Sequence, residues 1–129
     1  MPNISIIVTA KAGTEHTSMM LNFLGNSTLR PWEIIFVEQD ATDGNRALFA
    51  AAGAKAVPAV NSGLAAAWNQ GARSATGELL LFIHNDVLVS SHALEIMADT
   101  ITGNIAAVGP YTNRAFYGWQ GVDINYSDV

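Results

Sequence analysis

Leu79-Leu80-Leu81-Phe82-Ile83-His84-Asn85-Asp86-Val87 is the stretch that decides the fold. Five consecutive apolar residues run directly into a polar cluster, with Gly77-Glu78 before them and Asn85-Asp86 after. Such a bounded run predicts a short strand buried on both faces. Residues two apart on a strand point to the same face, so His84 and Asp86 at its carboxyl end are placed to converge on one ligand or metal. In open α/β sheets, ligands bind at the carboxyl ends of the strands.

The rest of the chain supplies the partners of that strand. Ile4-Ser5-Ile6-Ile7-Val8 is a β-branched run and predicts the opening strand, with Thr9 at its end. Thr14, with Glu15 behind it, opens a helix whose apolar stripe is Met20, Leu21, Phe23 and Leu24, and Gly25-Asn26 closes it. Residues Glu33 to Glu38 predict the second strand. Thr42 is a candidate cap for the helix after it, and Gly53 ends that helix. Ala54 to Val60 predicts a weaker third strand that Pro58 pushes toward a sheet edge. Ser62 is a candidate cap for a helix holding Leu64, Ala67, Trp68 and Ala72. Beyond residue 84, a helix from about Ser91 carries Leu94, Met97, Ala98 and Ile101 at the helical spacing. Gly103 stops it, and Ile105 to Val108 predicts a fifth short strand. Strands alternating with helices imply an α/β fold, a three-layer α/β/α sandwich around a mainly parallel central sheet. Right-handed crossovers limit its topology. With no repeat, linker or low-complexity tract, residues 1–129 read as a single domain.

A chain of 129 residues, half of them hydrophobic and 13% charged, has enough apolar surface for one real core. Six basic against eleven acidic residues give a net charge of −5, which argues against a nucleic-acid binder. A small anion is still admissible, because backbone N–H groups or a metal supply the positive field. Cysteine is absent, which removes disulfides, thiolate zinc sites and thiol nucleophiles. Met1-Pro2-Asn3 leads straight into the first strand without the basic and small-residue segments of a signal peptide. No apolar run approaches the ~20 residues of a membrane span. The expectation is a cytoplasmic protein with no transmembrane segment.

Five of the eleven aromatic residues fall in the last nineteen positions: Tyr111, Phe116, Tyr117, Trp119 and Tyr126. They form a tail from about residue 110 that covers the sheet, lines a pocket or meets a partner, a second copy of the chain included.

Polar groups gather at the expected strand ends. Glu38 and its loop to Asp43 read either as a solvated turn with a helix cap or as the rim of a cleft. There, a carboxylate accepts hydrogen bonds from a ribose or a base N–H. Asp86 suits Mg²⁺ or Mn²⁺, since Mg²⁺ commonly uses one or two protein carboxylates plus substrate phosphates. An imidazole from His84 beside it tilts the preference toward Mn²⁺. The plainer reading of both is a hydrogen-bonded strand terminus with an Asn85-Asp86 turn. His16 and His92 read as surface residues. The stretch from Asn61 to Gly71 is either a small-residue helix that lets backbones approach, or a segment placing Asn61 and Asn69 near a diphosphate or ribose. No G-x-G-x-x-G, P-loop or G-x-S-x-G sequence occurs.

Four segments in order and spacing resemble the inverting glycosyltransferases of family 2, which have the Rossmann-like GT-A fold of nucleotide-diphospho-sugar transferases. They are the opening strand Ile4–Thr9, the E-I-I-V-V-D-D-G-S-x-D run at Glu33–Asp43, the N-x-G and A-x-N-x-G segment at Asn61–Gly71, and the A-x-G-E-(apolar)-D-x-D strand at Ala75–Asp86. Val108 to Arg114 also looks like the segment that follows in bacterial members. The resemblance implies a nucleotide-diphosphate sugar donor and Mg²⁺ or Mn²⁺ held through Asp86, with His84 at the first acid of D-x-D. It implies that Glu38 recognises the base or ribose, that Thr9 is the strand-end nucleotide contact and that Asp43 is the acid closing its loop. Val8 stands where Pro is frequent, and Glu38-Gln39-Asp40-Ala41 stands for D-D-G-S. Family members run further and draw their catalytic base from an acceptor half. The chain thus resembles a truncated, donor-binding part of such an enzyme, with the base unassigned and single-displacement chemistry implied. The alternative is a non-catalytic nucleotide-binding or assembly module that lacks the base. A receiver domain ranks last, because the position for its phosphoacceptor Asp holds Val60-Asn61.

Overall fold

Strand β1 (Ile4–Ala10) is the axis of the fold, and all seven of its residues are buried. The computed structural model describes residues 2–10, 12–31, 33–39, 44–59 and 63–110. β1 pairs in parallel with β2 (Glu33–Glu38) on one edge, while β3 (Lys55–Pro58) pairs in parallel with the outer edge of β2. On its other edge β1 pairs, also in parallel, with β4 (Leu79–His84), so the sheet runs β3-β2-β1-β4. Four helices join or follow the strands: α1 (Thr14–Gly25), α2 (Asn45–Ala51), α3 (Gly63–Ser74) and α4 (Ala93–Thr100).

The registers assign the faces. Ser5, Ile7 and Thr9 align with Glu33, Ile35 and Val37 on one side and with Leu80, Phe82 and His84 on the other. Ile7, Ile35 and Val37 from this face join Val57 and Ala67 of α3 in one buried cluster. α3 lies so close that a Cβ on Gly71 would stand 2.4 Å from Ile7 Cγ2 and 2.9 Å from Val37 Cγ2. On the opposite face Phe36 stacks on Phe49 of α2, with centroids 4.1 Å apart. α1 lies beside α2, joined by Thr17 Oγ1 donating to Asn45 Oδ1 at 2.6 Å. The three expected layers are therefore present.

The amino-terminal end of the sheet is closed by a polar clamp. Glu33 Oε1 accepts from Ser5 Oγ at 2.6 Å, Thr76 N at 2.6 Å and Thr76 Oγ1 at 2.9 Å. Ser5 Oγ in turn accepts from Gly77 N at 2.8 Å. Partial burial pushes the Glu33 carboxyl up. The hydrogen bonds from Ser5 and Thr76, with the charge of Lys55, outweigh that and hold it below the usual carboxylate range.

Three sequence expectations change. β4 is not buried on both faces: Leu80 is 43% and Phe82 41% exposed, and only Ile83 is buried. It is an edge strand among the described residues, whereas β1 has a neighbour on each side. An apolar run alone does not distinguish the two positions. Ile105 to Val108 is irregular and pairs with no strand among the described residues. Ala106-Ala107 at its centre have low strand propensity and little side chain to pack. The last helix begins at Ala93, two residues later than read.

Two compact units divide after Glu95. The first holds the sheet and α1 to α3. In the second, the described residues finish α4, where Thr100 Oγ1 donates to Ile96 O at 2.7 Å, and continue without regular structure to Pro110. The candidate caps Thr42 and Ser62 and the aromatic tail lie outside the described residues. Among those described, no helix is long and apolar enough to cross a membrane.

Candidate functional site

The strand order places the site before any side chain is considered. From β1 the chain crosses through α1 to β2 and on to β3, then returns through α3 to β4 on the far side of β1. The winding reverses between β1 and β4, and the carboxyl ends of such a pair of strands frame a crevice. A cleft of about 500 Å³ opens there, lined by residues that include Thr9, Gln39, Gly63, His84, Asn85 and Asp86.

Thr9 and His84 are register partners on β1 and β4. Thr9 is fully buried, and its Oγ1 lies 3.1 Å from His84 Nδ1. The His84 ring is exposed on one side and flanked on the other by Trp68 of α3, with centroids 5.6 Å apart and planes at 47°. Asp86 follows in the turn that Val87 N closes onto His84 O at 3.2 Å. Its carboxylate is exposed and has no hydrogen bond or ion pair among the described residues. No Lys or Arg lines the cleft among the described residues.

Asn85 does more than make the turn. It points to the other side of the sheet and is buried. Its Nδ2 donates to Ala12 O at 2.8 Å, Gly13 O at 3.3 Å and Thr17 Oγ1 at 2.9 Å. Thr17 passes the chain of bonds to Asn45, itself buried at the start of α2. One side chain thus ties the end of β4 to the starts of α1 and α2, and fixes the backbone between His84 and Asp86. The sequence reading missed Thr17 and Asn45. A signal was present, since Thr17 shares the spacing of Met20 and Leu24 and so sits as a polar residue on an apolar stripe.

Glu38 ends β2 but pairs with Ala10, one position beyond Thr9, so its side chain leaves the sheet on the face opposite His84. Its Oε2 accepts from Arg46 Nε at 3.0 Å and Nη2 at 2.6 Å. Its Oε1 is buried and has no partner among the described residues. Arg46 was not singled out from the sequence, where only its position one turn after the loop marks it. Gln39, the next residue, lines the cleft in place of Glu38. Asn69 is exposed on α3 and does not line the cleft. Asp43 and Asn61 lie outside the described residues. The structure therefore gathers Thr9, His84 and Asp86 at one opening, with Glu38 at the same sheet end on the other face.

The donor set bears on a metal. Among the described residues no three His, Cys, Asp or Glu side chains cluster. A single free carboxylate beside a polar cleft suits a hard divalent cation that completes its coordination with water and substrate oxygens. In that mode Asp86 fits.

Comparison with known proteins agrees with this fold. The family model described as "Glycosyl transferase family 2" matches residues 5–122. No curated protein matches by sequence. Several solved structures share the fold. Glucosyl-3-phosphoglycerate synthase from Mycobacterium tuberculosis, crystallised with uridine diphosphate, is 18% identical with a TM-score of 0.67, over 80% of this chain and 41% of that one. A mannosyltransferase from Pyrobaculum calidifontis, in complex with GDP-Man and Mn²⁺, is 20% identical with a TM-score of 0.71, over 80% of this chain and 33% of that one. TarS from Staphylococcus aureus, in complex with UDP-GlcNAc, is 20% identical with a TM-score of 0.66, over 75% of this chain and 30% of that one. The chain thus spans less than half the length of each of these three structures.

Proposed function

The chain belongs to glycosyl transferase family 2, and on that premise we propose that its cleft binds the nucleotide-diphosphate sugar donor of an inverting glycosyltransferase. The observation that carries this reading is the Asp86 carboxylate at the opening between β1 and β4, without a hydrogen bond or ion pair among the described residues. A diphosphate brought there meets a carboxylate and no basic side chain among the described residues. A cation and hydrogen-bond donors would meet its charge there.

Asp86 would hold Mg²⁺ or Mn²⁺, which when bound supplies positive charge to the leaving diphosphate. The protein's own part is to shape and orient. The β1 and β4 ends form the floor, Asn85 holds the turn that presents Asp86, and Gly63 and Leu64 at the start of α3 form a wall. Glu38 is the proposed acceptor for a base or ribose donor through its free Oε1, with Arg46 holding the carboxylate. Asp43, from the resemblance, and Asn61, from the sequence of its segment, remain proposed nucleotide contacts, while Asn69, exposed and away from the cleft lining, does not. In a single displacement the acceptor hydroxyl oxygen bonds to the anomeric carbon as the bond to the diphosphate oxygen breaks, and a base takes the hydroxyl proton. No residue of this chain is assigned as that base. Residues 1–129 are accordingly read as the donor-binding part of the reaction.

Calorimetric titration of UDP and GDP, each with EDTA and with Mn²⁺, tests the reading. The expected result is Mn²⁺-dependent binding of at least one of them, lost in Asp86→Ala. No binding of either under any condition sinks it.

A further inference from the structure

We propose that His84 binds a phosphate oxygen of the donor's diphosphate through an Nε2–H that Thr9 fixes in place, and that it is not a metal ligand. The proposal rests on the donor-binding reading above and refines the role first expected of His84.

The argument is a count of protons. Thr9 is fully buried, and among the described residues His84 Nδ1, at 3.1 Å, is the one partner of its hydroxyl. A hydroxyl has one proton to donate and lone pairs to accept with. If Nδ1 carried the ring proton, it would donate to Oγ1, and the hydroxyl proton would have no acceptor among the described residues. If the hydroxyl donates to Nδ1, both groups are satisfied, and the neutral ring must carry its proton on Nε2. Leaving a buried donor unmade costs enough to bias the tautomers tenfold or more. The two residues are cross-strand register partners, so the backbone ladder itself sets their approach. The Trp68 ring packed against His84 restrains it from turning over.

The consequence is a choice of ligand. His84 lines the cleft, and an Nε2–H there has no lone pair for a cation but is a donor to an anionic oxygen. Such a donor adds to what the cleft offers an anion, since the side chains named along it include no Lys or Arg among the described residues. Thr9 is then a positioning residue that acts through His84, and Asp86 is left as the cation's protein ligand.

The experiment uses the full chain labelled with ¹⁵N-histidine, its His84 signal assigned with His84→Gln. Two-bond ¹H–¹⁵N spectra at about pH 8, above the ordinary imidazole range, are expected to show His84 protonated at Nε2 in the wild type and in Thr9→Ser. Thr9→Val is expected to give a mixture. In calorimetry with UDP and GDP, His84→Ala is expected to weaken binding about tenfold or more and Thr9→Val severalfold, with Thr9→Ser close to wild type. Pulsed electron paramagnetic resonance of bound Mn²⁺ is expected to show no coupling to imidazole nitrogen. A ring protonated at Nδ1, a nitrogen coupling to Mn²⁺, or wild-type affinity in His84→Ala each overturns the proposal while donor binding stands. No binding of either nucleotide overturns the donor-binding reading, and the diphosphate assignment with it.

Discussion

The two ends of the parallel sheet use similar residues to opposite effect. At the amino-terminal end one oxygen of Glu33 takes three donors, and Ser5 both gives and receives a hydrogen bond. At the carboxyl end the Asp86 carboxylate has no partner among the described residues, and Oε1 of Glu38 is buried without one. A carboxylate whose capacity is filled by its own chain ties elements together. A buried oxygen left open, as in Glu38, is a cost to the folded state that a ligand recovers on binding, whereas the exposed Asp86 carboxylate is hydrated and costs the fold nothing. The difference follows the topology, because at the carboxyl end the strands on either side of β1 leave a crevice.

The sharpest way to break this contrast is to remove one carboxylate from each end. Asp86→Ala is expected to weaken Mn²⁺-dependent nucleotide binding by roughly a hundredfold, about 2.7 kcal/mol, as for a lost contact to a charged group. Its melting temperature should be unchanged, because the side chain is exposed and makes no hydrogen bond or ion pair among the described residues. Glu33→Ala is expected to do the reverse. It strands the donors of Ser5 and Thr76 at a loss of about 2 kcal/mol of stability, with nucleotide affinity unaltered. Acid sharpens the second half. A carboxyl held low in the folded state adds stability above its ordinary value of about 4.3, and the addition is lost as pH falls through the lower folded value. The stability gap between wild type and Glu33→Gln should therefore narrow as pH drops from about 6 to about 3. Urea titrations across that range measure it, and a gap independent of pH would contradict the clamp.

Much of this architecture was legible because periodicity and punctuation agree along the chain. The β-branched run at Ile4–Val8, the apolar run at Leu79–Ile83 and the helical spacing through Met20 and Leu24 each locate an element, and Pro58 does place β3 at an edge. What stayed hidden depends on strand order. Whether Leu80 and Phe82 are covered turns on which strand is central, and no local pattern carries that. The face on which Glu38 emerges depends on its register with Ala10. The pairing of Thr9 with His84 likewise joins residues 75 positions apart. The Asn85–Thr17–Asn45 bridge links three elements through polar side chains that each look like ordinary turn or helix residues alone.

Gly71 tests how tightly the wall of the cleft is pressed on the sheet. Alanine is the better helix former by about 1 kcal/mol, so a loosely packed α3 would be stabilised by Gly71→Ala. The added methyl would instead meet Ile7 Cγ2 at 2.4 Å and Val37 Cγ2 at 2.9 Å. Overpacking of this kind costs about 1–3 kcal/mol, so a net loss of about 1–2 kcal/mol is expected in thermal or urea unfolding. Gly25→Ala is the control on a helix that offers open space, and it should be neutral or slightly stabilising. Equal behaviour of the two variants would mean that α3 does not bear on Ile7 and Val37.

The smallest effect concerns the pair that straddles both descriptions. Glu38 has a side chain 7% exposed, and Arg46, its partner, is 66% exposed. The exposed guanidinium is screened by water, so the pair contributes less than a fully buried one. Arg46→Met removes both bonds to Oε2 and leaves a buried carboxylate with neither oxygen paired. The expected loss is about 1 kcal/mol, limited because water reaches the space that the guanidinium vacates. Adding Glu38→Gln removes the charge that needed the partner, so the double variant should recover part of that loss. If Oε1 serves as an acceptor for the nucleoside, the two variants separate again in binding. Arg46→Met leaves the acceptor poorly held and weakens UDP or GDP severalfold, whereas Glu38→Gln removes the charge and weakens it further. Equal affinities in wild type and both variants would place Glu38 with the closed end of the sheet, as a structural carboxylate, despite its position at the open one.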